Sequence, residues 1–176
     1  FVYRELNSES PLIELRVLLR NRSFAFSNLA AFINYMATSG VTFLLSIYLQ
    51  MVKGLSAQAA GMVMLSQPVI MALVSPYSGR MSDKVEPQIV ATWGMALTMV
   101  GLIMYQFVNR DTSLIYVAIT LVVMGLGFGL FASPNNNAVM SSVPAHQYGI
   151  ASSTLSTMRL VGQSFSMTVV ALIIGA

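Results

Sequence analysis

The sequence predicts an all-α fold: a polytopic bundle of helices that cross a membrane. Three observations carry this. Only 9% of the 176 residues are Asp, Glu, Lys or Arg, whereas a soluble domain carries about 25%. Those few charges are also spaced: 30 residues without one lie between Arg22 and Lys53, 26 between Lys53 and Arg80, 23 between Glu86 and Arg110, 47 between Asp111 and Arg159, and 17 after Arg159. A hydrocarbon core of roughly 30 Å needs about 20 apolar residues at the rise of an α-helix. Finally, 56% of the residues are hydrophobic. Most of the long stretches lack the polar face that a soluble helical core would require.

Residues 1–22 hold four of the nine basic residues. Ser10-Pro11 has the form of an N-cap followed by proline at the first helical position. The following LIELRVLL mixes apolar residues with Glu14, Arg16 and Arg20, the pattern of a short helix lying on a membrane surface. This segment is expected to be a cytoplasmic linker. Five spans are expected after it, at about 24–50, 57–79, 88–108, 113–134 and 148–176. The turns Met51–Ser56 and Asn109–Thr112 are short, so the spans they join run antiparallel. With residue 1 on the cytoplasmic side, the inner segments hold Arg4, Arg16, Arg20, Arg22, Arg80 and Lys84, and the outer loops hold Lys53 and Arg110. That distribution obeys the positive-inside rule. The chain begins with Phe1 and ends in ALIIGA without a polar stop, so a piece of a longer protein is expected.

Several features are candidates for function. Gly79 gives a tight exit from the second span. Asp83 beside it is placed to accept hydrogen bonds from a neighbouring helix N-terminus, a cytoplasmic latch; an ordinary polar loop gives the same spacing. Arg159 falls about 15 Å into the fifth span, where a charge costs about 2.5 kcal/mol or more and needs a polar partner. A later start to that span would let it snorkel to the interface instead. Gly125, Gly127 and Gly129 favour close helix packing, and Pro134 is expected to break or bend the helix ahead of Asn135, Asn136 and Asn137. In the first span Asn34 and Thr38 share a helix face, with Tyr35 beside them. Such a polar stripe lines a cavity or ties helices together. The third span has almost no polar groups and is expected to meet lipid. Gln67-Pro68 places a polar group beside a kink in the second span.

The absences are equally informative. There is no cysteine, so disulfides and thiolate metal sites are excluded. The net charge of +3 gives no nucleic-acid footprint. No HExxH, GxSxG or Gly-rich loop ending in Lys-Ser/Thr occurs. His146 reads as a solvated loop residue. Nothing points to an enzyme, a cofactor or a metal.

The chain resembles the C-terminal half of major facilitator superfamily transporters, most of all the fourteen-helix drug/proton antiporter branch (EmrB/QacA-type). The residues that carry the resemblance are PLIELRVLLRNRSFAFSN at 11–28, FLLSIYLQMVKGLSAQAAG at 43–61, SPYSGRMSDK at 75–84, GLGFGLFASPNNNAVMSSVP at 125–144 and ASSTLSTMRLVGQ at 151–163. Gly79, Asp83 and Lys84 match the second-half copy of the family's cytoplasmic-loop signature. The match lapses after Lys84, where Val85-Glu86-Pro87 replaces the usual glycine and basic residues.

The resemblance implies that the five spans are the first five of a six-helix C-terminal lobe, so that the fold is a partial lobe of this superfamily. Its first and fourth helices would line a central cavity, its second and fifth would meet an N-terminal lobe of the same protein, and its third would face lipid. It also implies alternating access, with proton entry driving export of a small amphipathic or cationic substrate across the bacterial inner membrane. Asn34, Tyr35, Thr38, Arg159 and Gln163 would contact substrate, and Gly79, Asp83 and Lys84 would gate. The proton-carrying carboxylate would lie in the other lobe, because no span here holds one. A transporter of one specific metabolite and a non-transporting membrane assembly subunit are the alternatives.

Overall fold

A computed structural model describes residues 21–175. The expected surface helix at 11–22 therefore lies almost wholly outside the described residues. Helix α1 covers Arg22–Ile47 and widens into a π turn at Tyr48–Val52. Helices α2 (Ala57–Met64) and α3 (Ser66–Ser82) follow. Then come α4 (Pro87–Tyr105), α5 (Leu114–Ser141), a 3-10 turn at Ala145–Gln147 and α6 (Tyr148–Gly175). Taken as α1, α2 with α3, α4, α5 and α6, they form five rods long and apolar enough to cross a membrane. No strand occurs among the described residues.

Local signals set the helix starts. The Asn21 side chain caps α1 by accepting from the Phe24 N–H at 3.2 Å, Ser56 caps α2 by accepting from Ala59, and Ser113 caps α5 by accepting from Tyr116. Pro87 opens α4 at a position whose N–H needs no partner. The first hairpin turns at Gly54, whose φ of +66° suits only a residue without a Cβ.

The kink expected in the second span is present as an interruption of the helix at Leu65, and the expected end of the fourth span is corrected. Pro68 has no N–H to offer the Met64 carbonyl four residues back and its ring crowds that group. Beside the break the Ser66 hydroxyl donates to the Val63 carbonyl at 2.8 Å. The fourth span does not stop at Pro134, because α5 runs seven residues further to Ser141. Pro134 forfeits one backbone hydrogen bond, but its ring is fully buried and Asn135, Ala138 and Val139 beyond it are buried too, so packing outweighs the loss.

Glycines decide which helices touch. A Cβ on Gly125 would sit 2.6 Å from the Gln67 carbonyl oxygen, and one on Gly129 would sit 2.9 Å from the Val74 Cβ, so this pair faces α3. Gly127, between them in sequence, faces α4: a Cβ there would meet the Thr98 backbone N at 2.7 Å, and one on Gly94 would meet the Phe131 N at 2.5 Å. Helices α3, α4 and α5 are thus locked at backbone distance. Helices α1 and α6 make a second unit in the same way. A Cβ on Gly162 would meet the Phe32 carbonyl at 2.6 Å, and the Gly40 N–H donates to the Ser166 hydroxyl at 2.8 Å. The two units share an apolar cluster that includes Phe24, Ala31, Phe131, Val139 and Leu155.

The loops sort to two sides. Asn21 donates to the Ser142 carbonyl at 2.5 Å, Gln88 to the Ser23 hydroxyl at 2.7 Å and Asn137 to the Ser82 hydroxyl at 2.8 Å, which joins the ends that carry Arg22, Arg80 and Lys84. On the other side the Tyr48 hydroxyl donates to the Asn109 carbonyl and Lys53 to the Arg110 carbonyl. Helix α4 turns Trp93, Met99 and Ile103 outward.

Substituting Gly94 by alanine forces α4 from α5, an overpacking that costs about 1–3 kcal/mol. The full-length protein carrying G94A therefore melts at lower temperature in detergent than the wild type. G61A is the control, since a Cβ there meets nothing within 4 Å; equal melting temperatures for G94A and G61A would contradict the packing described.

Candidate functional site

The α1–α6 unit and the α3–α4–α5 unit meet without glycines at their centre, and side chains fill the seam. The Tyr35 ring of α1 stands edge-on to Phe128 of α5, with centroids 5.8 Å apart and planes at 74°. This is a favourable aromatic geometry. Around the pair lies a cavity of about 580 Å³, bordered by Tyr35, Thr38, Ser39 and Thr42 on α1, Phe128 on α5, and Gln163, Ser164 and Met167 on α6. On the other side of Tyr35, Thr42 and Phe128 is a second cavity of about 430 Å³. Its far wall is the broken second span, with Met64, Gln67, Pro68 and Met71. Such a volume and mixed lining suit a drug-sized organic molecule.

Arg159 lies one helical turn from Gln163 on α6, eleven residues past the helix start at Tyr148, or about 16 Å along the axis. It is part-buried, and its guanidinium donates to the Asn136 Oδ1 of α5. The guanidinium carbon lies 5.6 Å from the Tyr35 ring centroid, within cation–π range. Its Nε is buried with no hydrogen-bond partner. Both partners are neutral, and no ion pair involves Arg159 among the described residues.

The α1 face divides. Tyr35 and Thr38 border the cavity, and the Thr38 hydroxyl donates back to the Asn34 carbonyl at 2.7 Å. Asn34 itself is only 3% exposed, with its Oδ1 unpartnered, and borders neither cavity. Asn34 and Thr38 share a face, but that face is turned into the protein and only its edge reaches the cavity.

At the inner end, Gly79 lets α3 approach α5, since a Cβ there would lie 3.0 Å from the Ser133 hydroxyl. The Ser78 hydroxyl donates to the Gly129 carbonyl at 2.6 Å. Asp83 ends α3 as its C-cap and is exposed, as is Lys84. The Asp83 carboxylate takes no hydrogen bond from any described helix N-terminus. Gly125, Gly129 and Pro134 are all buried in α5. His146 is exposed in the turn before α6.

Sequence reasoning had Ser39 in the polar stripe of the first span but did not single out Thr42, Phe128, Ser164 and Met167. Helical spacing held a signal for three of these: Thr42 lies two turns beyond Tyr35, Met167 one turn beyond Gln163 and Ser164 beside it. Phe128 was hidden among glycines that face elsewhere.

Comparison with known proteins places this geometry. The sequence pattern of the Major Facilitator Superfamily matches residues 4–167. The chain belongs to the Major Facilitator Superfamily. It is similar to the riboflavin transporter RibZ of Clostridioides difficile, with 35% identity over 156 residues, 89% of this chain and 34% of that protein. It is also similar to the multidrug resistance protein Stp of Mycobacterium tuberculosis, at 28% identity over all of this chain and 32% of Stp. The lincomycin resistance protein LmrB of Listeria monocytogenes matches at 27% identity over all of this chain and 37% of LmrB. The chain thus spans about a third of the length of these relatives. As a superfamily member it is a multi-pass membrane protein.

The chain has no native cysteine, so single cysteines report on the cavity once any elsewhere in the full-length protein are removed. Cysteines replacing Ser39 and Gln163 are expected to react with a water-soluble thiosulfonate, and one replacing buried Leu121 is expected not to. Protection of the first two in every condition would show that the cavity is dry.

Proposed function

We propose that this chain is the C-terminal lobe portion of a proton-coupled efflux antiporter for small amphipathic compounds. It would belong to the fourteen-helix drug/proton antiporter branch and work by alternating access in a bacterial inner membrane. The observation that carries this is the Tyr35–Phe128 cavity: aromatic walls for an apolar body, with Thr38 and Gln163 supplying the few polar groups that orient it. The second cavity, walled by Met64 and Met71, adds adaptable surface. Two relatives named for drug resistance support export of toxic compounds.

In this reading Tyr35, Thr38 and Gln163 touch substrate, and Asn34 holds the α1 face behind them. The exposed polar stretch of Ser152, Ser153, Ser156 and Thr157 on α6 faces the remaining lobe of the protein rather than lipid. That lobe also supplies the proton-carrying carboxylate, since residues 112–176 contain no Asp or Glu and none falls within α1, α2, α3 or α4. Asp83 and Lys84 act with Gly79 at the inner mouth, the Asp83 carboxylate engaging the other lobe when the mouth is closed. A second reading, transport of one aromatic metabolite, is favoured by the riboflavin transporter among the relatives.

Full-length protein in proteoliposomes, given a panel of amphipathic aromatic compounds, tests the proposal. Several compounds are expected to move, each faster under an opposing proton gradient. A profile confined to one compound and indifferent to the gradient rejects drug antiport in favour of the metabolite reading. Y35A and Q163A are each expected to raise KM about tenfold at equal expression, a loss of about 1.4 kcal/mol. D83N should insert normally and transport slowly; wild-type rates at equal expression would remove the latch role.

A further inference from the structure

We infer that Arg159 makes the central cavity a site for oxyanions: the compounds it takes up are planar aromatic molecules bearing a carboxylate or similar anionic group. This rests on the cavity being a substrate site, as proposed above. It replaces the expected cationic substrate with the opposite sign of charge.

The argument starts from charge balance. Arg159 is the one charged residue of α6, near its middle. Arginine does not lose its proton in proteins, so the cation stays at a depth where it is costly unless paired. Its described partners, the Asn136 carbonyl oxygen and the Tyr35 ring face, are dipolar and quadrupolar. They orient the guanidinium without neutralising it. The buried Nε still lacks an acceptor. A guanidinium presents five donors in a planar fork that matches a carboxylate, and Asn136 uses only one arm.

Position supplies the second half. Tyr35 is shared: the Arg159 guanidinium lies over its ring and Tyr35 borders both cavities, although Arg159 itself borders neither. Gln163, one turn along α6 from Arg159, borders the larger one. An aromatic ring seated near Tyr35 and Phe128 would thus bring a substituent on its rim toward the guanidinium, whose buried Nε stays out of a ligand's reach. A cationic substituent there would face an uncompensated positive charge in a medium where Coulomb energies are several times those in water. The anion has two possible sources with the same chemistry, the substrate or a carboxylate from the rest of the protein, and the experiment separates them.

Full-length protein in proteoliposomes is given three matched probes at neutral pH: 2-naphthoate, 2-naphthamide and 2-naphthylmethylammonium. The wild type is expected to show a KM for naphthoate at least tenfold below that for naphthamide, with the ammonium poorest. R159Q is expected to erase the naphthoate advantage, its KM for naphthoate rising to that for naphthamide in the same variant. If R159Q loses naphthamide flux as well, R159K decides: it keeps a reduced naphthoate preference under the inference, and KM values that rise together overturn it. An unchanged naphthoate advantage in R159Q, or a wild-type preference for the ammonium, also overturns it. Equal naphthoate and naphthamide KM in the wild type, with R159Q slowing all three probes alike, assigns the counter-ion to the protein and overturns it too. Transport of naphthamide without any charge preference leaves the transporter proposal standing, whereas a wild type that moves none of the probes rejects both.

Discussion

Backbone-to-backbone approach at glycine is the constraint on which the rest of this structure depends. In lipid there is little hydrophobic drive between helices, and association rests on close packing and interhelical hydrogen bonds. Helix α5 meets that demand on two sides at once, with Gly125 and Gly129 against α3 and Gly127 against Gly94 and Thr98 of α4. Helices α1 and α6 meet it through Gly40 and Gly162. The result is two tight units whose shared boundary, between α1 and α5, has no such glycine contact. Two aromatic rings and a set of hydroxyls occupy that boundary, and they cannot fill it as a backbone would. The cavity is the space left where the glycines are absent.

The same economy governs the polar groups. A hydroxyl in a membrane helix that lacks a partner is costly, and many of these satisfy themselves by donating to the preceding turn. Thr38 donates to Asn34, Thr42 to Thr38, Thr154 to Ile150 and Thr168 to Ser164. Hydroxyls bonded in this way keep lone pairs free to accept, so Thr38 and Thr42 border the cavity at little cost to the bundle. Amides do not fold back as completely. Asn28 donates to the Phe24 carbonyl, yet its own Oδ1 has no partner, and the Asn34 Oδ1 is in the same position. The carboxamides on α1 therefore join the Asn135 Nδ2 and the Arg159 Nε as groups with unmet capacity.

The number of rods, their antiparallel order and the side on which each loop lies were all legible in the spacing of charge, because that spacing reflects the thickness of the hydrocarbon. The glycine run was legible as packing, but its partners were not: alternate glycines point to different neighbours, and only the folded arrangement assigns Gly127 to α4 and its flanking pair to α3. The kink at Pro68 was legible too, and it opens at Leu65 because a proline acts on the carbonyl four residues behind it. Tyr35 and Thr38 were marked by polarity and spacing, and Gln163 by the resemblance. Phe128 was not, since an aromatic residue in an apolar span is indistinguishable from a lipid-facing one until its neighbours are known.

The run Pro134-Asn135-Asn136-Asn137 shows most directly how continuity of a helix creates a site. Had α5 ended at Pro134, three asparagines would have entered a loop with no fixed directions. Because the helix continues, each successive side chain is rotated by about 100°. Asn135 is buried and borders a cavity of about 160 Å³ beside Ser27 and Thr92. Asn136 meets Arg159 on α6, and Asn137 donates to Ser82 on α3. Three adjacent residues of one type thus reach different surroundings, two of them different helices. The one that holds the guanidinium also ties the α1–α6 unit to the α5 unit across the cavity seam. The orientation of the one charge in the middle of the bundle therefore depends on a proline that fails to stop a helix.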